Sequence, residues 1–529
     1  MSVRTDNKNT LIIKSEYHIK YSKNIFKLPN RHLYVILPGK IIQKRCSFMS
    51  GESKKEVHPS IRIKRVEVNN MKNVKHGVID LCSSVGKKDR KGSDIIGIYG
   101  QNGTGKTTFV NAIDTIRVIM CGVTPGADFA RFIDVSTEES SISVQFEYKY
   151  SPKKIGLVEY TVDIGLIEKM ISRDGFPVDL ADDETTNEYR TEKWVRVINE
   201  TIKTNIYADG NIGRIHTIID TKNYLVCGDT IFKELFGDCN DEDMDQLRLL
   251  KMQAKEASHS YVFCNRMFRL IEEGKENSEY FDIFLKLRSF ARRNLMIIGT
   301  KFNAVAQLQA GTPLFFPGSN VPAIFTDRTV MSEENFKIIE KRIPEINGVL
   351  GAIVPGVKIA VDSSRTTLKD GNSGRYVNLL SVRNIDGKEK RFPFQYESSG
   401  IIRIVSITID FIKAFNSDSA TLVIDEMDAG VFEDLFGKLL VAFEKEGRGQ
   451  LIFTAHNLHA LEMINKKFIR FTSLDSNDRY KRIKNVGTTN NLRDMYLREI
   501  RKNDSELNLS KEIDLKEIID AMNKLPADL

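Results

Sequence analysis

The sequence predicts an α/β protein: a parallel sheet carrying a glycine-rich loop, an antiparallel β subdomain, and a largely helical insertion between the two halves of the sheet. Three observations predict it. The octapeptide GQNGTGKT (100–107) lies between the apolar run Ile95–Tyr99 and a helical pattern. Two more short apolar runs, Leu422–Ile424 and Leu451–Phe453, each end abruptly in polar residues. Between these regions, SISVQFEYKY and GLVEYTVDIG alternate apolar with polar. Short unbroken apolar runs suit strands buried on both faces, as in a parallel sheet, whereas alternation suits antiparallel strands with one wet face.

Taken in order, IRIKRVEVNN gives a broken strand alternation through Ile61, Ile63, Val66 and Val68, and a second strand, GVIDL, follows. A polar loop, GKKDRKGSD, precedes the Ile95–Tyr99 strand, and a helix is expected from Thr107 to about Met120. The two alternating segments form a hairpin, an acidic loop occupies 179–192, and a mostly helical pattern runs from about Ile231 to Ile298. MSEENFKIIEKRIPEINGVL reads as a helix leading into the strands VKIAV and YVNLLSVRN. A helix is expected after Glu397 through Phe415, then strand TLVID, a helix over 431–446 and strand QLIFT. No sustained heptads support a long coiled-coil arm. The expected units are a basic extension (1–57), the first half of the sheet domain (58–165), the helical insertion (166–355), the second half (356–475), and a basic patch with C-terminal tail (476–529).

Charge is uneven. The chain carries +7 overall, yet residues 1–92 hold 21 Lys/Arg against 7 Asp/Glu. Such a lead-in suits nucleic acid or an acidic partner, and equally a solvated extension; Met49 is a candidate start that would leave the first 48 residues outside the fold. The six cysteines, Cys46, Cys82, Cys121, Cys227, Cys239 and Cys264, are scattered without a C-x-x-C pair, which fits reduced thiols rather than disulfides or zinc. No apolar run is long enough to span a bilayer and Lys14, Lys20, Lys23 and Lys27 interrupt any signal core, so a cytoplasmic protein without a membrane partner is expected.

Chemistry begins at GQNGTGKT, which matches G-x-x-x-x-G-K-[ST] at every fixed position. Gly100, Gly103 and Gly105 let the backbone through Gln101, Asn102 and Thr104 curl with its N–H groups inward, and the helix from Lys106 through Thr107 and Thr108 presents its positive end. Lys106 then bridges β- and γ-phosphates, and the Thr107 hydroxyl suits Mg²⁺. Asp425 and Glu426 end the Leu422–Ile424 strand: the first suits Mg²⁺, the second an attacking water. His456 ends the next strand, at the sheet edge where ligands of α/β proteins sit, and is a candidate for the γ-phosphate.

The ordered set IIGIYGQNGTGKTT, YESSGIIRI, TLVIDEMDAGVF and QLIFTAHN resembles ABC-type ATPases, in particular the soluble SMC/OLD-like branch. The resemblance implies an ABC-type P-loop ATPase head that uses ATP and Mg²⁺. It implies that Ser398, Ser399 and Gly400 form the signature, that Asp428 lies near the D-loop, that His456 is the switch histidine, and that ATP sites are shared between protomers of a homo-oligomer. The signature departs from L-S-G-G-[QE], so either serine is left as the phosphate contact, and a Ser-Gly pair opening a helix also serves as an ordinary N-cap. Gln145 is a candidate Q-loop residue. The 294 residues from Lys106 to Gly400 exceed the interval in transporter subunits of the family. More narrowly, the chain resembles the ATPase component of bacterial antiphage systems, PARIS and the abortive-infection L-type pairs. That implies a switch holding a separate toxic nuclease in trans. An SMC-like DNA maintenance ATPase is the alternative.

No nuclease motif is present, and the 73 residues after His456 are too few for a Toprim domain. Asp475 and Asp478 read as a turn. The basic patch Arg479, Lys481, Arg482, Lys484, Arg493, Arg498, Arg501 and Lys502 suits nucleic acid, an acidic protein, or simply solvent.

Overall fold

The computed structural model describes residues 61–81, 94–134, 136–151, 154–171, 190–208, 211–223, 229–237, 241–256, 258–274, 279–299, 313–314, 323–324, 329–368, 371–483, 491–500, 507–509 and 515–523, with two short antiparallel strand pairs before residue 46. The rest of the 1–57 lead-in, the loop ahead of Asp94, the acidic stretch ahead of Arg190, Lys484, Arg501, Lys502 and four of the six cysteines lie outside the described residues; Cys121 and Cys264 are free thiols.

The first strands are β1 (Ile61–Met71), β2 (Val74–Asp80) and β3 (Asp94–Tyr99), and helix α1 (Lys106–Met120) follows the glycine loop. The broken alternation of β1 has a cause: its pairing register shifts between Ile63 and Arg65, so the buried face moves from Ile61 and Ile63 to Val66 and Val68. Strands β4 (Glu139–Ser151), β5 (Lys154–Ile171), β6 (Arg190–Ala208) and β7 (His216–Asp220), with the two-residue strand Asn211–Ile212, complete a seven-stranded sheet in which β2, β1, β4, β5 and β6 are successive neighbours. Helices α2 (Asp229–Phe236), α3 (Asp241–Glu256), α4 (Asn265–Gly274) and α5 (Glu279–Arg293) cover its inner face.

Two features depart from the sequence reading. Strands β5 and β6 run well past residue 165, where the helical insertion was expected to begin. And Leu295–Ile298, expected within the helical stretch, is β8, an edge strand parallel to the strand of the Asp-Glu pair. Four apolar residues after a helix with no Gly or Pro between them carry no period that separates strand from helix.

Next come β9 (Thr329–Ser332), helix α6 (Glu333–Ile353), and β10 (Val357–Thr367), β11 (Ser373–Ile385) and β12 (Lys388–Pro393), which with β9 form a second antiparallel sheet. Helix α7 (Ser399–Asn416) leads to β13 (Thr421–Ile424), α8 (Glu433–Glu446), β14 (Gln450–Thr454), β15 (Ile469–Thr472), β16 (Tyr480–Lys481), α9 (Leu492–Ile500) and α10 (Leu515–Asn523). The central sheet has the order β8-β13-β14-β3-β15-β16, parallel except for β16. The chain is thus a mixed α/β protein with one mainly parallel and two antiparallel sheets.

Single polar side chains join the units. Gln450, fully buried, accepts from Ile63 N at 2.7 Å and Thr421 Oγ1 at 3.0 Å and donates to Ile63 O at 2.8 Å, tying β1 to the central sheet. Arg62 pairs with Asp94 beside it at 2.7 Å. Glu200 on β6 accepts from Tyr160 Oη (2.6 Å), Ser260 Oγ (2.7 Å), Tyr261 N (2.8 Å) and Val262 N (3.2 Å), fixing the turn before α4 onto the sheet. Burial pushes its carboxyl above the usual glutamate range although all four donors oppose the shift. Glu200→Ala strands those buried donors, so it is expected to lower stability by about 3 kcal/mol, read in a denaturant titration; an unchanged midpoint would remove Glu200 from this role.

Candidate nucleotide site

The central sheet order decides what meets. Strands β3 and β13 flank β14, so the glycine loop, the Asp-Glu pair and the residues after Thr454 emerge side by side at one edge. Adjacent strands lie about 4.8 Å apart. Gly105, at φ 100°, is the N-cap of α1, a left-handed conformation that glycine takes without strain. Lys106 folds back across the loop and donates to Gly100 O at 2.7 Å and Gln101 O at 2.9 Å. Burial pulls its ammonium below the usual lysine range, against the attraction of Asp425, Glu426 and Asp428. The loop lysine and the acidic residues, 319 or more positions apart in sequence, therefore face one another. Thr104 is buried and donates to Gln101 O at 2.7 Å, Thr107 and Gln101 are half-buried, and Asn102 and Gly103 are exposed.

Several residues that hold this loop escaped the sequence reading. The turn between β1 and β2 places Asn73 so that its amide donates to Gly103 O, while Thr108 Oγ1 donates to Asn73 Oδ1 at 3.4 Å. Lys72 in the same turn lies over the Phe132 ring, 4.6 Å from its centre. Its ammonium is held below the usual range by burial and by Arg131, with Asp425 opposing. From the far side, Thr472 on β15 bonds Thr104, and Tyr480 Oη on β16 donates to Gly105 O at 2.9 Å. Arg479 corrects an expectation: it is buried, not part of an exposed patch, and donates to Ser473 O at 2.6 Å and to Asn73 O. Lys481 pairs with Asp478, and Arg493 reaches Glu462 at 3.4 Å. Asp475 caps a turn at Asn477 N (2.9 Å), as read.

On the acidic side, Asp425 is completely buried and accepts from Thr454 Oγ1 at 2.5 Å, and Thr454 Oγ1 accepts from Glu426 N at 2.8 Å. Glu426 is half-exposed with φ 49°, a left-handed backbone costly for a side chain other than glycine. Arg403 on α7 supports that turn. Its guanidinium, only 4% exposed, donates to Asp425 O at 2.8 Å and Glu426 O at 3.1 Å. Burial pulls its pKa down, with Asp425, Glu426 and Asp428 opposing. Asp428 Oδ2 accepts from His456 N at 2.9 Å and Asn457 N at 2.6 Å, so the D-loop candidate holds the loop that exposes His456.

Ser398 is the N-cap of α7, accepting from Ile401 N at 3.4 Å, and Ser399 opens the helix; both are exposed. Glu397 before them is tied to Arg383 at 2.7 Å and to Ser381; burial raises its pKa, but these bonds outweigh it and hold the carboxyl below the usual range. A Cβ on Gly400 would stand 2.8 Å from Gly430 O, so glycine here lets the start of α7 and the loop after Asp428 touch. Gln145 sits within β4 opposite Arg65.

For chemistry, the loop offers the N-terminal end of α1 and the Lys106 ammonium for polyphosphate, and Thr107 with Asp425 offers hard oxygen donors. Among the described residues no cluster of three or more His, Cys, Asp or Glu could hold a metal ion. No helix among the described residues is long and apolar enough to cross a membrane.

The chain matches no protein-family model and no curated protein. Solved structures similar to it include an SMC head bound to the C-winged helix domain of ScpA, at 11% identity over 80% of this chain and 98% of that one, with a TM-score of 0.37. The SMC head domain from Thermotoga maritima is 12% identical over 80% of this chain and 100% of that one, TM-score 0.32. The recombination mediator RecF with ATP is 12% identical over 76% and 95%, TM-score 0.31.

Arg403→Met keeps the bulk of the side chain and removes both donors to the turn that carries Glu426. Loss of alignment on this scale is expected to slow any nucleotide turnover by about tenfold to a hundredfold, with nucleotide binding retained. Stopped-flow binding beside steady-state phosphate release measures the two separately, and equal turnover in the variant removes Arg403 from the positioning of Glu426.

Proposed function

We propose that this chain binds and hydrolyses ATP with Mg²⁺ and acts as an ABC-type molecular switch. The observation that carries the reading is the convergence of Lys106 with Asp425, Glu426 and Asp428 at one edge of the parallel sheet. Entering phosphates replace the carbonyls of Gly100 and Gln101 as acceptors for Lys106, and the N–H groups of 100–108 close around them. Thr107 and Asp425 hold Mg²⁺, which neutralises charge on the phosphates. Glu426 orients the attacking water, and His456 stands at the γ-phosphate.

The signature contributes from a second copy. Ser398, Ser399, Ala429 and Gly430 are exposed together, bracketed by Tyr396 and Phe432, the most exposed large aromatics among the described residues at 72% and 74%. Large aromatics in such a position suit anchors of a protein interface. In the finer reading the chain is the ATPase component of a two-component antiphage system, and nucleotide state controls a nuclease carried by a partner. Motif order and the absence of a nuclease motif in this chain support it. An SMC-like DNA maintenance ATPase instead requires turnover stimulated by DNA and steeply salt-dependent DNA binding, which a filter-binding titration decides.

Glu426→Gln is expected to bind ATP and hydrolyse it about 100-fold slower or worse. Undiminished hydrolysis moves the base elsewhere. The shared site is tested by complementation: Lys106→Ala and Ser398→Arg are each expected to be inactive alone. A mixed pair regenerates one site from the intact loop of one chain and the intact signature of the other. Phosphate release is followed against mixing ratio once mass measurement shows mixed oligomers, and no recovery in them refutes the shared site. Retention of ATP by mixed pairs carrying Glu426→Gln separates that result from obligate coupling of two sites.

A further inference from the structure

Two apolar surfaces are uncovered among the described residues. The first is on α10. Its Leu515, Ile518, Ile519 and Met522 are all exposed, at the i, i+3, i+4, i+7 spacing that lines one side of a helix. A helix of nine residues is too short to hold itself together in water, so this one needs a surface under its stripe. The second is a groove of about 480 Å³ between the C-terminal halves of α6 and α7. Ile346 and Val349 on α6 and Ile409 and Ile412 on α7 form its floor, with Arg342 and Lys413 on its rim.

We propose that α10 of one copy seats its apolar stripe in the α6–α7 groove of a second copy of this chain. The dimensions agree. Arg342 to Val349, Ile409 to Asn416 and Leu515 to Met522 each span seven helical steps, about 10 Å. Charge agrees too: on the rim Arg342 and Glu345 pair with each other at 2.5 Å, which leaves the net positive charge of Lys413, and Asp520 flanks the stripe. An amphipathic helix laid into a groove between two others is a common mode of recognition, read through those anchor positions. Within one chain no described residue of α10 lines the groove and its stripe stays exposed, so the pairing that buries both joins two chains. Leu509, buried against the β15 side of the core with Asn508 O bonded by Leu474 N at 2.7 Å, fixes the point from which α10 projects. The contact is separate from the Ser398–Gly400 face and needs no nucleotide.

The test uses the full chain without nucleotide. Val349→Cys in one tagged chain is mixed with Ile519→Cys in an untagged chain and oxidised, with wild type and each single variant as controls for the native cysteines. A disulfide joining tagged to untagged chain, mapped to positions 349 and 519 by mass spectrometry, is the expected result. No such product overturns the proposal. Independently, Ile518→Asp with Ile519→Asp is expected to weaken nucleotide-free self-association by about tenfold or more, because each large aliphatic side chain buried at a contact is worth at least that factor. Sedimentation equilibrium reads the change, and ATP binding at wild-type affinity shows that the variant is folded. Unchanged association in that folded variant also overturns the proposal.

Discussion

The site rests on a charge balance at a dry sheet edge. Two cations, Lys106 and Arg403, are each buried deeply enough to be pulled toward losing their protons. Attraction from the same three carboxylates, Asp425, Glu426 and Asp428, opposes that pull on both. An isolated charge in such a place is untenable, and a paired one is held in position by the cost of separating it. On the proposed function, phosphates would bring new negative charge against Lys106, and a divalent cation would answer the carboxylates. The protein alone leaves Lys106 bonded to two backbone carbonyls, a weaker match than phosphate oxygens. Strand order supplies the arrangement: placing β14 between β3 and β13 puts opposite charges from distant parts of the chain at strand ends one strand apart.

Much of this was legible in the sequence because the decisive signals are local. Eight consecutive residues specify the loop, and an apolar run ending in Asp425-Glu426 or in Thr454-Ala455-His456 specifies a strand and what stands at its tip. Helix α7 after Ser398 and the β4–β5 hairpin were equally plain. What stayed hidden are contacts between segments that no spacing relates. Asn73 and Tyr480 clamp the glycine loop from about 30 residues upstream and over 370 residues downstream. Thr454 reads as the last residue of a strand, yet its hydroxyl joins Asp425 to the backbone of Glu426. Arg479 was counted with exposed lysines and arginines because sequence gives its charge and not its direction; the fold turns it inward onto Ser473 and Asn73. Strand β8 was lost for a different reason, being too short to show a period.

Arg403 shows how far one side chain can extend a site. It belongs to the helix whose first residues are exposed, and it grips the backbone of the strand tip where Asp425 is buried and Glu426 half-exposed. A push on the Ser398 end of α7 therefore acts on the turn that holds Glu426 in its left-handed conformation. The Gly400–Gly430 contact is a second link between the same two segments, made without side chains and so without slack. Asp428 continues the chain by holding the loop that carries His456. The exposed surface and the buried chemistry are thus three residues apart on one helix.

The same helix points toward assembly. Helix α7 has 18 residues, about 27 Å of rigid rod. Its first turn carries Ser398, Ser399 and Gly400, its second grips Asp425 and Glu426 through Arg403, and its last two turns form one wall of the groove with α6. A packed helix moves as a body, since interiors at crystal-like density shift by small slides and do not compress. If γ-phosphate draws the start of α7 toward a partner's loop, the far end must slide against α6, and the groove changes width as the nucleotide site closes. Seating of a partner helix in that groove would in turn favour whichever position of α7 fits it best. Linkage makes the two effects equal and opposite in direction of cause, so occupancy at one end biases affinity at the other. One rod with a phosphate-facing tip and an apolar flank is enough to let a small chemical change be felt as a change of assembly.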